Sequence, residues 1–518
     1  MADNRPDGLK ANWKCLLACT LVSMCPFQYG IDFGLIGGLQ AMVGFLKVFG
    51  NPDPASPIGY NISPGRQQLI SSLMTLGAFL ASCALAGPIA TVFGRKSGIW
   101  LGGVLITLGT ILMMATTSLG GLYAGRLILG LGNGCFMTFS QLYLQECSPA
   151  KYRGLLIACF QFWTSTGTLI GTIVDNFTAP IMGKNSYLVP LGLVFIVPTI
   201  VGVGILFIPE SPRWLLTHGH ADKARSALLW LRPYPDTVQD ELDGIETALN
   251  SEKNLIKGVS WLDLFRNPVD RRRTLLSVAA VSLQAASGAM FMIAYGTYFF
   301  EMAHVGSPFA NSCILVAVGV VAIIINSSVI TRIGRRRPML ISGLALCGVT
   351  QLIIALLYQA RPAAESTSKA IVGISVVYIG GYNGLISTYA WVLGGELPSQ
   401  RLRSYTFGLA AAVGFLGAWL ATFTAPYFIN PDALNWGPKY GFIWFPSCMV
   451  AMIFVILFMP EVKDRTLEEI DEMFEKRLPA RKFRTYKCVG RSTVTEIDAT
   501  NIVFSDPKVV AETTVSIA

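Results

Sequence analysis

Asp32 and Arg126 each stand inside a stretch that is otherwise apolar. Asp32 sits in Tyr29-Gly30-Ile31-Asp32-Phe33-Gly34-Leu35-Ile36, and Arg126 comes early in the run 121–142. A charge in hydrocarbon is costly, so such residues are kept for function or are paired. Together the two can carry one piece of chemistry. Beside Arg126 the carboxyl holds its charge; drawn away from it into apolar surroundings, it takes up a proton. A movement that makes and breaks the pair would therefore load and release a proton. A static pair that ties two helices together fits the same residues.

The elements that hold this pair must be membrane spans. Of 518 residues 52% are hydrophobic and 14% are charged, with a mean hydropathy of +0.52. Soluble chains carry roughly 25% charged residues, so much of this surface never meets water. Apolar runs long enough to cross about 30 Å of hydrocarbon fall near 14–36, 68–90, 97–117, 121–142, 154–174 and 188–208, then near 275–299, 309–331, 337–357, 369–393, 404–426 and 440–459. The expected fold is all-α, with twelve transmembrane helices in two six-helix halves. Its parts are an N-terminal segment 1–13, a first half 14–208, a helical linker 209–274, a second half 275–459 and a tail 460–518.

Basic residues set the orientation. Arg95-Lys96, Lys151 with Arg153, Arg271-Arg272-Arg273, Arg332 with Arg335-Arg336-Arg337, and Arg401 with Arg403 all fall on one side. The positive-inside rule puts that side, and both termini, in the cytosol. The net charge of +9 is thus a topology signal and calls for no nucleic-acid partner. The start, Met1 to Lys14, lacks a cleavage signature, so the first span is expected to act as a signal anchor.

Nine of the eleven cysteines lie inside expected spans as small apolar fillers, and their spacing suggests neither metal nor disulfide. No cofactor is called for. Two sequons, at Asn61 and Asn176, fall on the expected outer side and are candidate glycosylation sites. In the linker, helices are expected over His220–Leu231, Val238–Ser251 and Trp261–Phe265, and another after Thr466. Beyond Lys482 the tail reads as polar and disordered.

Two charged strings answer each other at the ends of the halves: Pro209-Glu210-Ser211-Pro212-Arg213-Trp214-Leu215 and Pro460-Glu461-Val462-Lys463-Asp464-Arg465-Thr466. With them the chain resembles the sugar porter branch of the major facilitator superfamily over about residues 20–476. The resemblance implies transport of a sugar by alternating access, with Asp32 and Arg126 at the proton-coupling positions. It also implies a midplane cavity in which Gln161, Gln284, Asn383 and Trp391 meet the substrate. Amides and an aromatic platform suit a sugar, whose hydroxyls lose water and must be re-bonded. Tyr295 and Tyr298, in Tyr295-Gly296-Thr297-Tyr298-Phe299-Phe300, are further stacking candidates. A helix–helix hydrogen bond is the plainer role for the glutamines, and packing or an interfacial belt for the tyrosines.

At the cytosolic face the family pairs charges across the halves when the carrier faces outward. The matching residues are Arg95, Glu146, Arg153 and Glu210 in the first half, and Arg335, Glu396 and Arg403 in the second; Arg336 and Arg337 read as topological anchors. There are departures. Ala285 and Met290 replace an amide pair of the seventh-span motif, Ser387-Thr388 replaces the tenth-span Gly-Pro hinge, and Thr91 and Thr331 stand where the loop motif has aspartate. Tyr295 to Glu301, Glu396 to Arg403, and Asn430-Pro431 through Gly437 look like the fungal maltose and α-glucoside permeases.

The expected function is proton-coupled sugar uptake, with protons and the lipid bilayer as partners and the plasma membrane as the site. Proton-independent facilitation, export of a fungal metabolite, organic-acid uptake and a non-transporting nutrient sensor are the rivals. No nucleophile–base pair, metal set or phosphate loop speaks for an enzyme.

Overall fold

The computed structural model describes residues 12–54, 59–85, 89–90, 92–148, 150–256, 262–302, 306–332, 334–361, 364–399, 401–463, 465 and 467–486. It is an all-helical membrane protein with twelve spans. Eleven are long and apolar enough among the described residues: Trp13–Leu39, Pro64–Leu85, Arg95–Ala115, Leu119–Cys147, Asn185–Gly204, Pro268–Glu301, Pro308–Ser327, Arg336–Ala360, Glu365–Glu396, Tyr405–Ile429 and Gly437–Phe458. The remaining one, Ala150–Thr178, is the fifth span and packs between the first and the eighth. Several helices outrun their apolar cores. The fifth extends past the expected 154–174 at both ends, because a helix goes on once its polar residues have left the hydrocarbon.

Local chemistry explains the breaks. The first span changes direction at Met24, just before Pro26, whose ring fits only the start of a new helical turn. The seventh divides at Ser287-Gly288, where Gly288 has φ +80° and a Cβ would lie 2.5 Å from the Trp444 ring. The tenth lacks its Gly-Pro hinge, yet it widens into a π-helical stretch over Tyr382–Ser387. That stretch loosens the helix at the place where the proline would have acted.

The first and fifth spans meet backbone to backbone: a Cβ on Gly30 would stand 2.0 Å from the Thr164 carbonyl oxygen. Small residues at such crossings let helices approach closely in lipid. The first six spans meet the last six where the second packs on the eleventh, the fifth on the eighth, and the first on the seventh. Outward-facing Leu17, Trp100, Leu108, Ile111 and Ile324 stay exposed, as a lipid-facing belt requires.

The linker folds as Pro212–Thr217, Ala221–Leu231, Val238–Ile256 and Asp263–Arg266. Leu215, Ala224, Leu228, Val238 and Leu242 form its small core. The first of these helices begins inside the charged string 209–215, and Ser211 caps it by accepting from Trp214 N–H at 3.3 Å. Trp261 lies outside the described residues. Leu467–Glu475 follows as expected, and contrary to the disorder expected beyond Lys482 the chain stays packed through Tyr486, which lies against the core and accepts from Arg465 at 2.6 Å. Arg273 pairs with Asp471 at 2.5 Å and donates to the Leu397 and Pro398 carbonyls, fixing this helix to the seventh and tenth spans.

Candidate functional site

A cavity lies between the halves, lined by residues of both. Gln161, Gln284, Asn383 and Trp391 all line it. Four different parts of the sequence therefore converge on one space. Gln284 donates one amide N–H to the Ser387 carbonyl at 3.0 Å, which leaves its second N–H and its carbonyl for a ligand. Gln161 makes only a 3.5 Å contact to Ser165. Tyr29 and Tyr382 also line the cavity and were not singled out from sequence.

Tyr295 and Tyr298 do not reach it, which corrects the stacking role expected of them. Tyr295 donates to the Thr422 carbonyl at 2.7 Å, and Tyr298 to Asn61 Oδ1 at 3.1 Å. Both rings are buried, and neither lines the cavity.

Asp32 is 2% exposed and sits between Tyr29 and Phe33, two residues of the cavity wall. Its partner here is Asn133 of the fourth span, which donates to Oδ2, joined by Gln28 at 3.3 Å. Arg126 is turned elsewhere: its Nε donates to the Ile70 carbonyl at 2.9 Å, and its Nη2 is buried without a partner. The expected ion pair is thus open in this conformation. Asp175, 1% exposed near the end of the fifth span, is a second buried carboxyl, and both its oxygens lack hydrogen bonds. Its position one residue past the apolar run 154–174 was the available signal.

The ends of the bundle differ. The end bearing the linker and tail is called the linker end, the other the far end. At the far end hydrogen bonds cross between the halves. Asn430 donates to the Ile62 carbonyl at 2.8 Å and to Gln67 Oε1 at 3.1 Å, and Asn61 donates to Asp432 at 3.1 Å. With Tyr298 they form a clasp. Asn61 is 3% exposed within it, so in this conformation it has no room for a glycan, contrary to the sequon reading. Asn176 is half-buried in the last turn of the fifth span.

At the linker end charges pair within each half, in two matching sets. Arg95 binds Glu146 at 2.6 Å, and Glu210 accepts from the Arg95 and Lys96 backbone N–H at 3.3 and 3.1 Å. Arg336 binds Glu396 at 2.9 Å, and Glu461 accepts from the Arg336 and Arg337 N–H at 3.2 and 3.1 Å. Burial pushes the Glu210 carboxyl above its ordinary range, against the pull of the N–H groups around it. The counterpart of Arg95 is therefore Arg336. Arg335 is exposed, which corrects its assignment by one residue. Arg403 donates to the Gly395 carbonyl at 3.0 Å. Arg153 lies in the fifth helix with its side chain outside the described residues, as are Thr91 and the side chain of Thr331.

The sugar (and other) transporter family model matches residues 18–474. The major facilitator-type transporter ecdD of Aspergillus rugulosus is 27% identical over 486 residues, covering 91% of this chain and 89% of that protein. The low-affinity glucose transporter HXT1 of Saccharomyces cerevisiae is 28% identical over 471 residues, covering 88% and 81%. A partially occluded inward-open structure of the xylose transporter XylE from E. coli superposes with a TM-score of 0.72 at 17% identity, over 88% of this chain and 100% of that one. The family match runs through all twelve spans and both sides of the cavity, and the chain belongs to the sugar (and other) transporter family.

Proposed function

We propose that this chain carries a sugar into the cell together with a proton, by alternating access between its two halves. The observation that carries this reading is the placement of Asp32. It lies one residue type away from being inert: a buried carboxyl between two cavity-lining residues, held by neutral amides, with a buried guanidinium turned aside. Binding at the cavity and protonation at Asp32 can then bias the same rearrangement.

The linker end is the cytosolic one on this reading, both termini included, and the carrier sits in the plasma membrane. The far-end clasp joins the halves, and the acidic partners of Arg95 and Arg336 belong to their own halves. That is the arrangement of a carrier closed to the outside. In the outward-facing state the linker-end charges would re-pair across the halves, with Arg153, Glu210 and Arg403 among them.

The relatives named above favour a single sugar ring over a disaccharide such as maltose. The strings that look like maltose permeases do not line the cavity: Tyr298 and Asn430 serve the clasp, and Glu396 binds Arg336. They speak to gating more than to the sugar.

The test is external alkalinisation by cells lacking their own sugar carriers and expressing this chain, on adding glucose or maltose in weak buffer. A pH rise that vanishes with Asp32→Asn is expected. Sugar uptake with a flat trace would replace symport by facilitation. No uptake of any sugar, with the protein at the surface, would refute the reading.

A further inference from the structure

The central cavity has two chemically different poles. Toward the linker end stand the amides of Gln161, Gln284 and Asn383, with the Trp391 ring, set among apolar Phe160 and Val281. Toward the far end the wall is mostly apolar: Met290 and Ile293 of the seventh span, Leu315 of the eighth and Ile379 of the tenth, with Phe33 opposite and the Thr168 hydroxyl committed to the Thr164 carbonyl at 3.1 Å. The order follows from chain direction. Met290 and Ile293 lie six and nine residues past Gln284, beyond the Gly288 break, roughly 9–14 Å along the axis. The tenth span runs the other way, and there Ile379 precedes Asn383 by one turn. Leu315 comes seven residues after Pro308, in the far half of the eighth span.

A bare hexose has hydroxyls on every side of its ring. Those turned to the amides are re-bonded, whereas any facing Met290 and Leu315 would lose water and find no partner. Gln284 commits one N–H to Ser387, and its second N–H and its carbonyl stay at the amide pole, where they can re-bond ring hydroxyls. Apolar carbon placed against the far wall gains from leaving water. We propose that the preferred substrate is a glycoside, a pyranose bearing an apolar substituent, with the ring at the amide pole and the substituent against Met290, Ile293 and Leu315. This rests on the sugar-transporter reading and narrows it.

The test is protein-dependent uptake of radiolabelled glucose and of methyl, propyl and phenyl glucosides, both anomers, by vesicles reconstituted with the full chain. The half-saturating concentration should fall along the series by up to about fourfold per added methylene. Phenyl glucoside should bind at least tenfold more tightly than glucose. Met290→Asn, and separately Leu315→Ser from the facing helix, should shrink that ratio to threefold or less. The wild-type series decides the matter even if neither variant folds. Glucose uptake with no gain along the series overturns this inference and leaves the sugar reading standing. No uptake of any of these overturns both. A ratio that survives both variants, or equal competition by 2-phenylethanol, which has no sugar ring, also overturns it.

Discussion

Asn133 donates from its side-chain amide to Asp32 across 101 residues of sequence, in the place where a guanidinium was expected. A neutral donor stabilises the carboxylate less than a cation does, so it can let go when the helices move. Arg126 waits nearby with one buried Nη unpartnered. Asn133→Ala removes a hydrogen bond to a charged group, a change of about 1.5–3 kcal/mol. Proton-driven sugar accumulation should fall tenfold or more, while sugar exchange at equal pH on both sides changes less than threefold. Equal loss in both assays would mean that Asn133 serves folding alone.

The matched sets at the linker end make a sharper demand. Arg336 and Arg335 are neighbours, yet only Arg336 reaches Glu396. Arg336→Gln should lower the uptake rate severalfold, as should Arg95→Gln in the other half. Arg335→Gln should stay within twofold, since an exposed arginine contributes little. Rates compared at equal surface expression decide it, and the reverse ranking would restore Arg335 to the gate.

Asn430 holds the far-end clasp through two donated hydrogen bonds to the first half. Asn430→Ala should weaken the closed far end by about 1–3 kcal/mol, since the Ile62 carbonyl and Gln67 lose a partner. Cys313, whose thiol donates to the Thr172 carbonyl across the halves at 3.3 Å, reports on this opening. Its modification by an impermeant maleimide added from the far side, followed by mass spectrometry, should speed up at least fivefold. An unchanged rate would show that the clasp does not hold the gate.

How far the residues announced themselves depends on the distance over which each constraint acts. Spans were readable because hydrocarbon thickness imposes a length and a hydropathy on each helix separately. The family resemblance grouped Gln161, Gln284, Asn383 and Trp391, and all four line the cavity. Tyr295 and Tyr298 were wrongly assigned to the cavity because a string of residues does not show which side of a helix turning about 100° per residue each one takes. Met290 and Ile293 face the cavity, which sends Tyr295 to the other side. The Asn133–Asp32 and Asn61–Asp432 contacts join helices and loops far apart in sequence. No local pattern marks such a pair, and a polar residue in an apolar span says only that some partner exists. The shift from Arg335 to Arg336 has the same origin: three successive arginines satisfy the charge rule equally, and only the helix start at Arg336 decides which one faces Glu396.

The crossing of the first and fifth spans sets the position of Asp32 and can be probed without touching any polar group. A Cβ on Gly30 would meet the Thr164 carbonyl oxygen at 2.0 Å and its carbon at 2.9 Å, both backbone atoms that no rotamer change can move. Gly30→Ala must push the two helices apart, carrying Tyr29 and Gln161 away from their places in the cavity wall. Overpacking of this kind costs about 1–3 kcal/mol. Gly202, in the sixth span, has nothing within 4 Å of its added Cβ and serves as the control. In detergent, Gly30→Ala should lower the melting temperature by several degrees and abolish uptake, while Gly202→Ala leaves both near wild type. A stable, active Gly30→Ala protein would show that this crossing can yield, and that Asp32 is not held in place by it.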